Sequence, residues 1–261
     1  MTVTAASPGR FDMGRVISAG FGLFVRRPVP ILVLALLFGY LPTIGVGWLT
    51  PVLTGPPVQP GASPDLGAVF GRLGLVECVA FVAAGFGWLL QGGVAIVAVA
   101  DALGESADIA SRLTKALGHA PLAFLAGVTA TVGIVLGTFL LVVPGVLLSL
   151  AWSVGPAVAA VEDKGFLGVF RRSAELTRGC RWALLGIMFL FGLAASVLNF
   201  AARLLVGLPL LATNTMPPPI FVFLIQPAVS AVTAAVTAAV ISAAYLELRG
   251  VKEGGLAAVF D

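Results

Sequence analysis

The chain has 261 residues, 59% of them hydrophobic and only 10% charged, with a mean hydropathy of +1.08. Soluble domains carry about 25% charged residues, so a soluble globular fold is excluded. A net charge of +3 does not indicate nucleic acid either, because the basic residues sit at the ends of apolar runs, where positive charge sets membrane orientation and meets anionic headgroups.

Residues 11–25 read as an amphipathic helix. Met13, Ile17, Phe21 and Phe24 recur at helical spacing opposite Asp12, Arg15 and Arg26. A first apolar span over 29–50 follows Arg26 and Arg27. It has no small-x-small cleavage site and is expected to stay in the membrane. Residues 51–73, with Pro51, Pro56, Pro57, Pro60 and Pro64, read as a loop. A second span covers 74–100. A second amphipathic segment covers 107–118, with Ile109, Leu113 and Leu117 opposite Asp108, Arg112 and Lys115, and Ser106 placed to cap it.

The third and fourth spans, 121–143 and 146–162, are separated only by Pro144-Gly145. About 40 residues of helix would cross the bilayer twice, so this site reads as a tight hairpin. Pro156 is expected to kink the fourth span beside Trp152. A third amphipathic segment over 165–178 places Phe166, Phe170 and Ala174 opposite Arg171, Arg172, Glu175 and Arg178. The fifth span covers 182–206, a loop covers 207–218, and the sixth span covers 219–246. The fold class is therefore all-α: a polytopic membrane helical bundle forming one domain over 1–261, with six transmembrane helices and three interfacial amphipathic helices.

Thirteen of the fifteen Lys and Arg residues fall in 10–27, 112–115, 164–181 and 249–252. These stretches alternate with the weakly charged loops, so the positive-inside rule puts both termini in the cytoplasm. Each returning span ends near an acid: Asp101, Glu162 or Glu247. This pattern suits a threefold repeat of interfacial helix, span out and span back. It equally suits any even-span chain with a cytoplasmic N-terminus.

Small residues are dense in the spans. Gly133 and Gly137 form GxxxG, and Ser230, Ala234, Ala238 and Ser242 line one ridge of the last span, beside Ala231, Ala235, Ala239 and Ala243. Such ridges serve packing within the bundle or a homo-oligomer contact. Cys78 and Cys180 are expected near opposite membrane faces, too far apart to bridge.

No catalytic constellation is evident. His119 is the only histidine, without HxxxH or HExxH, and no GxSxG or Walker loop occurs. No metal, cofactor or enzymatic activity is expected. Glu77, Asn199, Arg203 and Gln226 are polar residues near the outer ends of spans. A Glu77–Arg203 pair beside Asn199 and Gln226 is expected, because charges inside a membrane pair or reach water. Gln91 is a further isolated polar residue.

Two stretches carry a family resemblance. One runs from Val143-Pro144-Gly145 through Leu150-Ala151-Trp152-Ser153, Pro156 and Glu162 to Arg171-Arg172-Ser173-Ala174-Glu175-Leu176-Thr177-Arg178-Gly179 and Trp182. The other is Tyr245-Leu246-Glu247-Leu248-Arg249 with Lys252-Glu253-Gly254. They resemble the bacterial six-span proteins known as the membrane domain of glycerophosphoryl diester phosphodiesterase and the YciC-like group. The resemblance implies a bacterial inner-membrane protein without the soluble phosphodiesterase domain, hence a membrane domain without an established activity.

The expected function is non-enzymatic engagement of anionic lipid, or of a partner protein, through the basic interfacial helices. Arg26, Arg27, Arg171, Arg172, Arg178 and Arg181 are the expected headgroup or partner contacts, with Arg171 and Glu175 paired at i,i+4. Glu247 and Arg249 are expected to tie the last helix to that layer. The alternative is a small transporter or channel entered through an outward polar pocket at Glu77 and Arg203.

Overall fold

A computed structural model describes residues 11–54, 66–104, 109–213 and 224–253. It is 92% helical with no strand among the described residues, and six of its helices are long and apolar enough to cross a membrane. The all-α membrane bundle expected from the sequence is the observed fold.

The three amphipathic segments form helices α1 (Met13–Arg26), α5 (Ile109–Ala116) and α9 (Phe166–Thr177). Asp12 caps α1, its carboxylate accepting from the backbone N–H of Gly14 (2.9 Å) and Arg15 (3.2 Å). The expected Ser106 cap of α5 lies outside the described residues. The apolar stripe of α1 divides in two. Val16, Gly20 and Leu23 are buried against the protein, whereas Met13 and Phe21 stay exposed. An interfacial helix has two apolar neighbours, the bundle and the lipid, and this stripe is wide enough to face both.

The first span is α2 (Pro28–Ala35), a π-helical turn at Leu36–Tyr40 and α3 (Leu41–Thr54). The N–H of Leu41 reaches back five residues to the carbonyl of Leu36. The wider turn accommodates Pro42, whose ring would otherwise clash with the carbonyl four residues earlier. The second span is α4 (Leu66–Ala102), and the third is α6 (Ala120–Leu140), joined to α5 by a 3-10 turn over Leu117–His119. The fifth is α10 (Arg181–Thr213) and the sixth α11 (Gln226–Glu253). Helix thus extends into both expected loops: residues 51–54, 66–73 and 207–213 are helical, and only 55–65 and 214–223 lie outside the described residues.

The fourth span departs most from expectation. It turns at Leu141, which is extended (φ −159°, ψ 135°), and α7 (Val142–Ala151) already contains Pro144 and Gly145. Proline fits the first helical turn, where its missing N–H has no partner to lose. Gly145 serves contact instead. A Cβ there would lie 2.6 Å from Thr138 N and 2.7 Å from Thr138 Cα, so α6 and α7 meet backbone to backbone. The span then breaks at Trp152–Val154 and resumes as α8 (Gly155–Val161), with Pro156 in its first turn. Gln91 Nε2 donates to the freed Ser153 carbonyl at 3.1 Å, which satisfies a backbone group that lipid could not.

Packing is cyclic. Taking interfacial helix, outgoing span and returning span as one unit, α1 lies on α11, α5 on α4 and α9 on α8. Each interfacial helix thus rests on the returning span of the preceding unit, and the first rests on the last. Outgoing spans follow the same rule: α2 and the π-helical turn contact α4 and α11, α6 contacts α7 and α4, and α10 contacts α11 and α7. The returning spans form the centre near the charged end that carries α1, α5 and α9. Val94 to Ala100, Val154 to Ala159 and Ala238 to Tyr245 are buried all round. The small ridge Ala231, Ala235, Ala239 and Ala243 is buried within the bundle, and Gly133 and Gly137 face Trp152 and α7. The opposite end is looser, with Phe139 90% exposed.

Gly20 is the tightest contact of α1. A Cβ there would lie 2.6 Å from Val240 Cα. Alanine gains about 1 kcal/mol of helix propensity over glycine, but overpacking against backbone costs about 1–3 kcal/mol. We expect Gly20→Leu to lower the melting temperature in detergent and Gly20→Ala to give no gain. A stabilised Gly20→Leu protein would contradict this packing.

Candidate functional site

The charged end is held by three sets of ion pairs, each built on an acid that closes a returning span. Asp101, at the end of α4, accepts at Oδ2 from Arg26 Nε (3.1 Å) and Nη2 (2.9 Å), and at Oδ1 from Arg27 Nε (2.8 Å). Glu247 on α11 pairs with Arg15 of α1 at 3.3 Å. Glu162, which ends α8, belongs to a larger cluster.

In that cluster Arg172 Nε donates to Glu162 Oε2 at 2.9 Å, and Arg172 Nη2 reaches Glu253. Arg249 Nε donates to Glu253 Oε2 at 3.1 Å. The Tyr245 hydroxyl donates to Glu162 Oε1 and accepts from Arg249 Nη1, both at 3.1 Å. Tyr245 is fully buried, and the side chains of Glu162 and Arg249 are each 9% exposed. Two carboxylates face two guanidiniums, so the cluster is neutral and its charged groups are mutually hydrogen-bonded. Buried ions persist under these conditions. The cluster joins α8, α9 and α11.

The two stretches that carry the family resemblance meet here. Beside Arg172, Ser173 Oγ donates to the Ala151 carbonyl at 2.8 Å, Leu176 is buried, and Thr177 Oγ1 bonds the Ser173 carbonyl at 3.0 Å. Gly179 turns the chain out of α9 with φ +89°, a region that favours glycine. Glu162, Arg172, Tyr245, Arg249 and Glu253 are 81 residues apart at the Arg172–Glu253 contact, yet form one clasp.

This changes the reading of the six arginines assigned to headgroups or partners. Arg26 and Arg27 hold Asp101, and Arg172 is occupied by Glu162 and Glu253 with its side chain 23% exposed. Arg171 is exposed and lies 3.7 Å from Glu175 in the expected i,i+4 pair. Arg178 and Arg181 remain. They flank the turn between α9 and α10, and Arg178 is exposed. The ammonium of Lys252 joins them by donating to the Arg178 carbonyl at 3.0 Å. Arg181 opens α10, and its buried Nε lacks a hydrogen-bond partner. Trp182 beside it is 86% exposed. A cation at a helix N-terminus opposes the helix dipole, whereas an anion there is favoured by both the dipole and the free N–H groups.

The outer polar residues are only partly brought together. Asn199 Oδ1 accepts from Gln226 Nε2 (3.0 Å) and Ser230 Oγ (2.8 Å). Gln226 Oε1 is buried and lacks a partner, and Arg203 lines an open groove of about 600 Å³ with Asn199 on α10. Glu77 does not join them. It is exposed on α4 and forms no ion pair with Arg203. The reason is topological: α10 packs on α11 and α7, while α4 packs on α6, α8, α3 and α11 and not closely on α10. Ser230, Tyr245, Lys252 and Glu253 are members of these sites that the residue pattern alone did not assign. For Tyr245 and Glu253 the only signal was their place in the second stretch, and Lys252 also lay in the basic stretch 249–252.

His119 is exposed and 3.9 Å from Asp163. Cys78 and Cys180 are free thiols.

Removing one member of a buried ion cluster costs about 3–5 kcal/mol, because its partner stays buried and unpaired. We expect Arg249→Met to destabilise the protein by that order in a detergent melt. Arg249→Met combined with Glu162→Leu leaves the Arg172–Glu253 pair intact and is expected to cost less than the sum of the two single changes, by about 0.5–3 kcal/mol. Strict additivity would contradict the clasp.

No family model, curated protein or solved structure matches this chain.

Proposed function

We propose that the chain is a non-enzymatic component of a bacterial cytoplasmic membrane that holds anionic phospholipid headgroups at its charged, cytoplasmic face. The observation that carries this reading is the guanidinium of Arg181, without a hydrogen-bond partner at Nε, at the N-terminus of α10. Arg178 and Lys252 stand beside it, and Trp182 is exposed as an interfacial anchor. Arginine and a helix N-terminus together match a phosphate, and exposed tryptophan is favoured at headgroup depth. The acids at this face support a non-catalytic role, since Asp101, Glu162, Glu247 and Glu253 are each bound to arginine. The resemblance to the phosphodiesterase membrane domain fits the same reading, because in that family the phosphodiesterase chemistry resides in a separate soluble domain.

Near an anionic surface each Lys or Arg contributes about 1 kcal/mol. Replacing Arg178, Arg181 and Lys252 together by alanine is therefore expected to weaken phosphatidylglycerol binding by roughly 100-fold. Native mass spectrometry should show this loss, with phosphatidylcholine binding unchanged. Arg171→Ala is expected to have little effect, and Arg172→Ala to act on stability instead. Unaltered phosphatidylglycerol binding in the triple variant would remove the proposal.

Orientation has its own test. A green fluorescent protein fused after Asp261 is expected to fluoresce, and a periplasm-dependent alkaline phosphatase fused there to be inactive. The opposite pair of results would invert the topology.

A further inference from the structure

The turn between α9 and α10 carries more positive charge than one phosphodiester can neutralise. Arg178, Arg181 and Lys252 supply three cations. Among the described residues none of the three enters an ion pair, and their side chains make one hydrogen bond, from Lys252 Nζ to the Arg178 carbonyl. The acids next to them in sequence are already engaged. Glu253 is bound by Arg172 and Arg249, and Glu175 lies 3.7 Å from Arg171. Elsewhere on this face arginines are offset by carboxylates, as Arg26 and Arg27 are by Asp101. Here the charge stands uncompensated.

The three cations fall into two groups. Arg181 begins α10. Arg178 ends α9 before the turn at Gly179, and Lys252 of α11 is tied to its backbone at 3.0 Å. A phosphodiester carries a single negative charge, so it meets one group and leaves the other unmatched. Two phosphates joined in one molecule meet both. Once the first is bound the second binds intramolecularly, which raises affinity without a new kind of contact. Basic pockets between spans at the cytoplasmic face suit such headgroups. A soluble diphosphate has the charge but no apolar chains. Trp182 and Phe189, about two turns apart along α10, are 86% and 68% exposed and offer apolar surface to acyl chains.

We infer that the turn after α9 holds one lipid bearing two phosphates, of the cardiolipin class, with one phosphate on Arg181 and the other on Arg178 and Lys252; this rests on the headgroup reading above.

The full chain in detergent is titrated with one lipid at a time, and native mass spectrometry reads stoichiometry and affinity. The probes are cardiolipin, phosphatidylglycerol with its single phosphodiester, and phosphatidic acid with its single phosphate monoester. We expect one cardiolipin per chain, bound roughly tenfold or more tighter than phosphatidylglycerol and tighter than phosphatidic acid. Joint Arg178→Ala and Lys252→Ala replacement is expected to reduce the preference over phosphatidylglycerol to about twofold, the factor that two phosphates per molecule give by number alone. Both side chains are exposed, so this variant leaves the packed interior intact. Lys115→Ala, which removes an exposed cation on α5, is expected to leave the preference unchanged. A parent preference of twofold or less overturns the inference and leaves the headgroup reading standing, since phosphatidylglycerol is then still bound. Phosphatidic acid bound as tightly as cardiolipin overturns it as well, because one dianionic phosphate then suffices. Inorganic diphosphate bound as tightly as cardiolipin assigns the cations to a soluble anion and also overturns it, as does a double variant with the parent's preference. Parent protein that binds none of these lipids more tightly than phosphatidylcholine removes the headgroup reading itself, and the inference with it.

Discussion

The architecture rests on one recurring interaction, in which an acid at the end of each returning span is bound by arginine from an interfacial helix. Asp101 takes Arg26 and Arg27, Glu162 takes Arg172, and Glu247 takes Arg15. Isolated helices of 8 to 14 residues, the lengths of α5, α9 and α1, are marginal in water. They persist here because apolar burial fixes all three to the bundle, and for α1 and α9 these ion pairs add to it. Two of the three pairs, Arg172 with Glu162 and Arg15 with Glu247, also cross from one set of interfacial helix and two spans to the set it rests on. The charged groups at the span ends therefore also close the ring.

The ring places its returning spans at the centre, and this decides where the protein is closed. At the charged end α4, α8 and α11 are buried all round, as a helix is when no face meets solvent or lipid. The polar group formed by Asn199, Gln226 and Ser230 lies on α10 and α11 near the opposite end. Between that group and the charged face runs the buried stretch Ala238 to Tyr245. The transporter reading needs Glu77 and Arg203 in one pocket, and the groove that Arg203 lines does not include Glu77.

Features governed by local periodicity or by bilayer thickness were legible from the sequence. The three amphipathic helices fall within a few residues of their expected positions, and the six spans follow from apolar length. Loop ends were not legible, because helix at the membrane boundary continues until packing or capping stops it, and neither acts at a fixed sequence distance. The Leu141 turn was missed because Pro144 signals a break, whereas proline is also at home in a first helical turn. The Glu77–Arg203 pair failed for a different reason. The expectation rested on distance from the span ends alone, whereas the angular position of each helix around the axis depends on long-range packing.

Burial divides the arginines by role in a way composition does not. Arg249 is 7% exposed and bonded to Tyr245 and Glu253, so removing its charge unbalances a closed, neutral cluster. Arg178 is exposed, and no acid faces its neighbour Arg181 at Nε. Two arginines six residues apart, Arg172 and Arg178, thus belong to opposite sides of one boundary: the first is spent inside the protein, and the second is available to whatever anion lies outside it. Trp182 is exposed beside them, so a headgroup role, as proposed, would fall to the turn after α9 rather than to the whole basic stretch.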